Sequence, residues 1–172
     1  MAIANTGHTE PDELADRDTV AAWWAQLTGT DEFVEHPPRP NVKGVERLRV
    51  LRDVIRRLAW ANNGWLLEPE PAEDAVLAGL VLRLDLTSAS ISLRVARASG
   101  LSDAISAAAT GALIRATARP NWPRLKACHA LDCGWVFLDA SRNLSRRWCD
   151  MGDCGNRAKG AAFRERERQG KG

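Results

Sequence analysis

Cys128-His129-Ala130-Leu131-Asp132-Cys133 and Cys149-Asp150-Met151-Gly152-Asp153-Cys154 are two pairs of the form Cys-x4-Cys, with fifteen residues between them. They hold all 4 cysteines of a chain of 172 residues. Two short-spaced pairs separated by a hairpin-sized insert bring four thiolates around a tetrahedral ion, and Zn²⁺ favours such a soft, closed site. Four protein ligands leave no position for water or substrate. The expected cofactor is therefore one structural zinc per chain, held by Cys128, Cys133, Cys149 and Cys154, rather than a catalytic metal. A reducing cytoplasm keeps such thiols available to a metal. The competing reading is four unpaired core cysteines. With four cysteines at matched spacing, His129 reads as an exposed loop residue and not as a ligand.

The residues around the pairs suggest how they are brought together. Gly134-Trp135-Val136-Phe137-Leu138 reads as a strand, Ser141-Arg142-Asn143 as a turn, Arg146-Arg147-Trp148 as a returning strand and Gly155 to Gln169 as a helix. A knuckle, a hairpin and a second pair at a helix start make a small treble-clef-like domain over residues 121–172. Trp135 and Trp148 flank the site. They are expected to form its small core, with stacking on nucleic-acid bases as the alternative.

Charge divides the chain where the cysteines do. Residues 1–120 carry 13 Lys+Arg against 16 Asp+Glu, whereas residues 121–172 carry 11 against 6. The net charge of +2 therefore conceals an acidic part followed by a basic one. Residues 1–120 read as an α+β domain of helices plus a β-hairpin. Val20, Trp23, Trp24 and Leu27 repeat at helical spacing, with Asp16 or Asp18 as cap and Gly29 as stop. His36-Pro37-Pro38-Arg39-Pro40 is a loop. Leu48, Leu51, Ile55 and Leu58 mark the clearest amphipathic helix, from Val45 to Trp60, with Arg49, Arg52, Asp53, Arg56 and Arg57 largely off its apolar face. Asn62-Asn63-Gly64 stops it, and a short helix follows Pro71. Leu82 to Leu86 and Ile91 to Val95 alternate as two strands, with Thr87 to Ser90 as their turn. Ser102 is placed to cap a helix reaching about Ala118, with a small-residue face of Ile105, Ala108, Ala109, Ala112, Leu113 and Ala116.

The longest apolar stretch, Ala75 to Leu82, is far short of the roughly 20 residues of a spanning helix. Met1 to Asp18 carries acids rather than a basic start before an apolar run, so no secretion signal is read there. The expected location is cytoplasmic, without a membrane partner. His8 and His36 have no spaced partner, and no Ser/His/Asp, Cys/His or paired-carboxylate constellation stands out. The chain is not expected to be an enzyme.

Cys154-Gly155-Asn156-Arg157 is the tetrapeptide for which the CGNR zinc-finger family is named. Cys133-Gly134-Trp135, Asp139, Ser141-Arg142-Asn143, Ser145-Arg146-Arg147-Trp148-Cys149 and Ala158-Lys159 extend the likeness, so residues 124–164 resemble that family. The part before them is similar to the ABATE domain that accompanies this finger in bacterial proteins regarded as stress-linked transcription regulators. That likeness rests on the Trp23-Trp24 helix, the Leu48 to Trp60 helix running into Ala61-Asn62-Asn63-Gly64, and the apolar segment leading to Leu86. Ile3-Ala4-Asn5-Thr6 stands where family members have an apolar strand ending in Asn-Thr.

The resemblance implies DNA as partner and a small-molecule or protein effector on the N-terminal domain. The residues themselves imply only zinc and basicity. Arg142, Arg146, Arg147, Lys159, Arg164, Arg166 and Arg168 are the candidate phosphate contacts. Arg157 is either a DNA contact or a donor to the zinc thiolates, and Asn156 is either a DNA contact or bonded to local backbone. The alternative function is a zinc-stabilised adaptor that docks a protein and leaves DNA alone.

Overall fold

The computed structural model describes residues 1–8, 10–29, 42–66, 68–86, 91–95, 100–130 and 132–170. The chain forms two compact units, Met1–Ile55 with Glu68–Trp122, and Arg56–Leu67 with Pro123–Gly172. The sequence reading puts a single division near Pro120. Here the segment 56–67, well before that point, goes with the C-terminal unit.

In the first unit, Ile3–Asn5 is a 3-10 turn and not the strand the resemblance implied. Thr6 closes it, donating its hydroxyl to the Ile3 carbonyl at 2.8 Å. Helix α1 (Arg17–Thr28) starts at a capping box in which Asp16 accepts from the Asp18 and Thr19 amides, and it ends at Gly29 with φ 62°. Val20 is buried, whereas Leu27 is exposed. The proline run and its His36 lie outside the described residues.

Helix α2 (Val42–Ala61) buries Val45, Leu48, Leu51 and Ile55, as its apolar spacing requires. Its polar face is not simply solvated. Arg49 donates from Nε to the Leu14 carbonyl at 2.7 Å, and Arg52 donates to the Asp12 carboxylate at 2.7 Å. These bonds hold the segment before α1 on α2. Burial of Asp12 opposes its ionisation, but the bonds from Arg52 and the Leu14 amide outweigh that and hold its carboxyl below the usual range.

Helix α3 (Pro71–Leu77) has proline at its first turn with Glu73 and Asp74. Strands β1 (Leu82–Leu86) and β2 (Ile91–Val95) pair antiparallel, Leu82 opposite Val95 and Leu86 opposite Ile91. Their turn lies outside the described residues. Helix α4 (Leu101–Thr117) begins before Ser102, which is buried within its first turn and is not the cap. The Ser102 carbonyl instead accepts the Ser106 hydroxyl at 2.7 Å. The buried face runs through Leu101, Ile105, Ala107 and Gly111, rotated from the expected stripe, since Ala108 and Ala112 are exposed. Asp103 in its first turn is held by Arg47 at 2.7 Å.

In the second unit, β3 (Leu125–Ala127) pairs antiparallel with β4 (Val136–Leu138), Ala127 opposite Val136. A π turn at Met151–Gly155 leads into α5 (Asn156–Gln169). The expected partner of β4 was Arg146-Arg147-Trp148, and that reading is corrected: the partner precedes the first cysteine. The reason lies in the carbonyls of Leu144, Arg146 and Arg147, which accept from side chains and, at Arg147, also from the His129 amide at 2.9 Å. Lys126 Nζ donates to those of Leu144 and Arg146, and Asn63 Nδ2 to that of Arg147. No helix among the described residues is long and apolar enough to cross a membrane.

Candidate metal centre

The strand pair delivers the first two cysteines. Cys128 follows β3 directly and donates its amide to the Trp135 carbonyl at 2.8 Å, continuing the ladder by one bond. The chain then folds back tightly, with the Cys133 amide on the Ala130 carbonyl at 3.0 Å. Gly134 completes the knuckle at φ 63°, a backbone region costly for a side-chain-bearing residue. The second pair is set by Asp150, whose carboxylate accepts from the Asp153 amide at 2.9 Å and whose carbonyl accepts from the Gly155 amide at 3.0 Å. A Cβ on Gly155 would stand 2.5 Å from Met151 Sδ, so glycine makes room for Met151 there.

The result is one cluster. The sulfurs of Cys128, Cys133, Cys149 and Cys154 all lie within 4.8 Å of one another. A regular tetrahedron with Zn–S of about 2.3 Å has edges of about 3.8 Å. Two observed edges match it, Cys133 to Cys149 at 3.6 Å and Cys149 to Cys154 at 3.8 Å. The four sulfurs therefore fit one structural zinc ion. Cys128 and Cys154 are buried, and the other two are half-buried.

Electrostatics make the same demand for a cation. Burial pushes the Cys133 thiol up to about 11, despite the Trp135 amide. Burial and the neighbouring sulfurs raise Cys149 further. Cys128 is lowered, because the Cys149 and Ala130 amides outweigh its burial. Four thiolates this close repel one another, and a dication is what makes all four stable together.

The surrounding shell shows what the sequence concealed. Trp60 Nε1 donates to the Cys128 carbonyl at 2.7 Å, and Asn62 Nδ2 to that of Leu125 at 2.9 Å. Asn63 is buried and its Nδ2 bonds both the Ala127 and Arg147 carbonyls at 2.8 Å. The end of α2 and its turn thus staple β3 to the strand-like run before Cys149. Asp139, fully buried, anchors the other side: it meets Lys126 Nζ at 2.7 Å and accepts the Ser141 and Arg146 amides at 2.8 and 3.1 Å. Burial opposes its charge, yet these bonds hold its carboxyl far below the usual range. Arg124 adds bonds to the Asp139 and Ser141 carbonyls.

His129 is half-buried rather than an exposed loop residue, and it stands apart from the four sulfurs of the cluster. Burial and the Arg147 charge lower its pKa, so the neutral ring accepts from Arg147 Nη2 at 2.7 Å. Trp65 packs against it at 4.8 Å and Trp148 edge-on at 6.3 Å. Of the two tryptophans expected to form the core, Trp148 is half-buried but Trp135 is exposed. Trp60 and Trp65, from a distant segment, fill that role instead.

The candidate DNA contacts divide by occupation. Arg157 bonds Asp153 at 3.0 Å, Asp132, and the Cys154 sulfur at 3.2 Å. Its bond to Asp132 holds that carboxyl below the usual value. Asn156 donates to the Gly152 carbonyl at 2.9 Å. Arg146 reaches the Trp148 and Cys149 carbonyls and lies 4.8 Å over Phe137, while Arg147 engages His129 and Trp148. Arg168 is near Glu165 at 4.0 Å. Arg142, Lys159, Arg164 and Arg166 are exposed, and their side chains hold no hydrogen bond or ion pair among the described residues.

Residues 124–167 match the model of a family described as the CGNR zinc finger. No curated protein matches the chain.

Proposed function

We propose that this is a zinc-stabilised DNA-binding protein of the bacterial cytoplasm that regulates transcription. In this reading the C-terminal unit is a treble-clef-like finger that contacts DNA, and the N-terminal unit is an ABATE-like domain that receives a small-molecule or protein effector. The protein performs no catalysis. The observation that carries the reading is the set of unoccupied cations, Arg142, Lys159, Arg164 and Arg166, on the unit that holds the metal cluster. Helix α5 supplies three of them and buries none of its residues. A rigid knob with free guanidinium and ammonium groups suits phosphate contact.

A second reading has its own support. Trp135, Leu138, Leu144 and Met151 expose apolar surface on the same unit, which suits a protein partner and an adaptor role. Duplex DNA titrated into the zinc-loaded full chain separates the two. Four free cations on phosphates give a slope of log affinity against log salt of roughly −3 to −4, from about −0.9 per phosphate neutralised. Absence of duplex binding at low salt would leave the adaptor.

A further inference from the structure

Helix α5 has a feature that basicity alone does not explain. Phe163, in its middle, is 58% exposed, and the helix has no buried residue on any side. An aromatic ring displayed to water on a helix whose other apolar residues are only alanines lies outside the unit's own core. At 100° per residue, Lys159, Phe163 and Arg166 fall in one row, at i, i+4 and i+7. The row places the ring between two cations that hold no partner among the described residues. Glu165 falls well off it, while Glu167, at i+4 from Phe163, borders the row at its C-terminal end. The other basic row of the helix, Arg157, Arg164 and Arg168, is less available. Arg157 is taken by Asp132, Asp153 and Cys154, Arg168 stands beside Glu165, and the cleft along that side also carries the Asp132 carboxylate.

We propose that α5 enters the major groove of duplex DNA on its Lys159–Phe163–Arg166 row, with the Phe163 ring against thymine methyl groups and the two cations on flanking phosphates. This deepens the DNA-binding reading and rests on it. The fit is one of shape and charge. An α-helix matches the roughly 12 Å width of the groove, and the thymine C5-methyl is the apolar feature there that a phenyl ring meets. The 14 residues of α5 span about 21 Å at 1.5 Å per residue, long enough to present the row clear of the metal knob.

The experiment uses the zinc-loaded full chain, a short A·T-rich duplex, and the same duplex with uracil in place of thymine, which removes only the methyl groups. Wild type should lose about 4-fold in affinity per contacted methyl on uracil replacement, from the free energy of burying one such group. Phe163→Ala should bind both duplexes alike, at the weakened level, with an unchanged salt slope. Lys159→Ala and Arg166→Ala should each flatten that slope by about 0.9. Zinc content should stay at wild-type level in all three, since none of these side chains is buried. Three results overturn the proposal. Binding by wild type that ignores uracil replacement, with loss confined to Arg142→Ala and Arg164→Ala, removes the row but leaves DNA binding standing. A Phe163→Ala effect on self-association alone, read by sedimentation, assigns the ring to a second copy. No duplex binding by any form at low salt removes the DNA reading and this inference with it.

Discussion

Arg157 sits in a tetrapeptide whose sequence allows it to face either metal or DNA, and its bonds favour the metal. Its guanidinium spans Asp132, Asp153 and the Cys154 sulfur, tying the first cysteine knuckle to the second. Donors to ligand sulfurs orient them and moderate their charge, and their loss commonly lowers metal affinity about 10–100-fold. Arg157→Ala should therefore release zinc at proportionally lower chelator concentration, read by competition with a chromogenic chelator, and Arg157→Lys should not restore retention because one ammonium cannot fork three ways. Unchanged retention in both variants would return Arg157 to the DNA contacts. Asp12 offers a test by pH in the other unit. Its native pKa is lowered relative to the unfolded chain, so its pair with Arg52 stabilises above about pH 3.9 and the effect fades as pH falls from there towards the native value. Asp12→Asn should cost about 0.5–1 kcal/mol at neutral pH, since the pair is partly exposed, and the difference from wild type should shrink below pH 4 in urea unfolding. The cysteines were legible because a fixed coordination number imposes spacing on the sequence. Lys126 and Arg124 were not, and Asp139 stood out only in the resemblance, because ordinary charged residues carry no mark of a partner met only after folding.

Among the elements, α2 and α5 were readable from their period and punctuation, and the first hairpin from its alternation. The second strand pair was not. β3 is three residues long, too short for alternation to register, while Arg146 to Trp148 looks like a strand yet gives its carbonyls to side chains. The turn Asn62-Asn63-Gly64 reads only as a helix stop, although two of its side chains are structural parts of the metal unit. Asn63 is the sharper case, since its one amide nitrogen satisfies two carbonyls. Asn63→Ala should cost about 1–3 kcal/mol, chiefly because the Ala127 carbonyl loses its Asn63 donor while that of Arg147 keeps the His129 amide at 2.9 Å, and Asn63→Asp should do no better, because a carboxylate offers no proton to either. Denaturant unfolding with zinc in excess measures both. A cost below about 0.5 kcal/mol would mean that water replaces the amide.

For the molecule as a whole, the metal unit is discontinuous in sequence, so the effect of removing zinc should be discontinuous as well. Structural zinc contributes about 10–16 kcal/mol of apparent binding energy in domains of this kind, and the second unit has little else to replace it. Its strands are three residues each, and α5, with no buried residue, is marginal as an isolated helix. The first unit has its own apolar core in Leu14, Val20, Leu48, Leu51, Leu101 and Ile105. Hydrogen exchange before and after chelation tells these cases apart. Chelation should abolish protection over 123–169 and also over 56–66, more than fifty residues from the nearest cysteine in sequence, while 101–117 and the earlier turns of α2 keep theirs. Loss confined to 121–172 would restore the simple boundary at Pro120 and make the bonds from Trp60, Asn62 and Asn63 incidental. Loss across all of α2 and α4 would instead show a single cooperative fold, in which zinc holds both units.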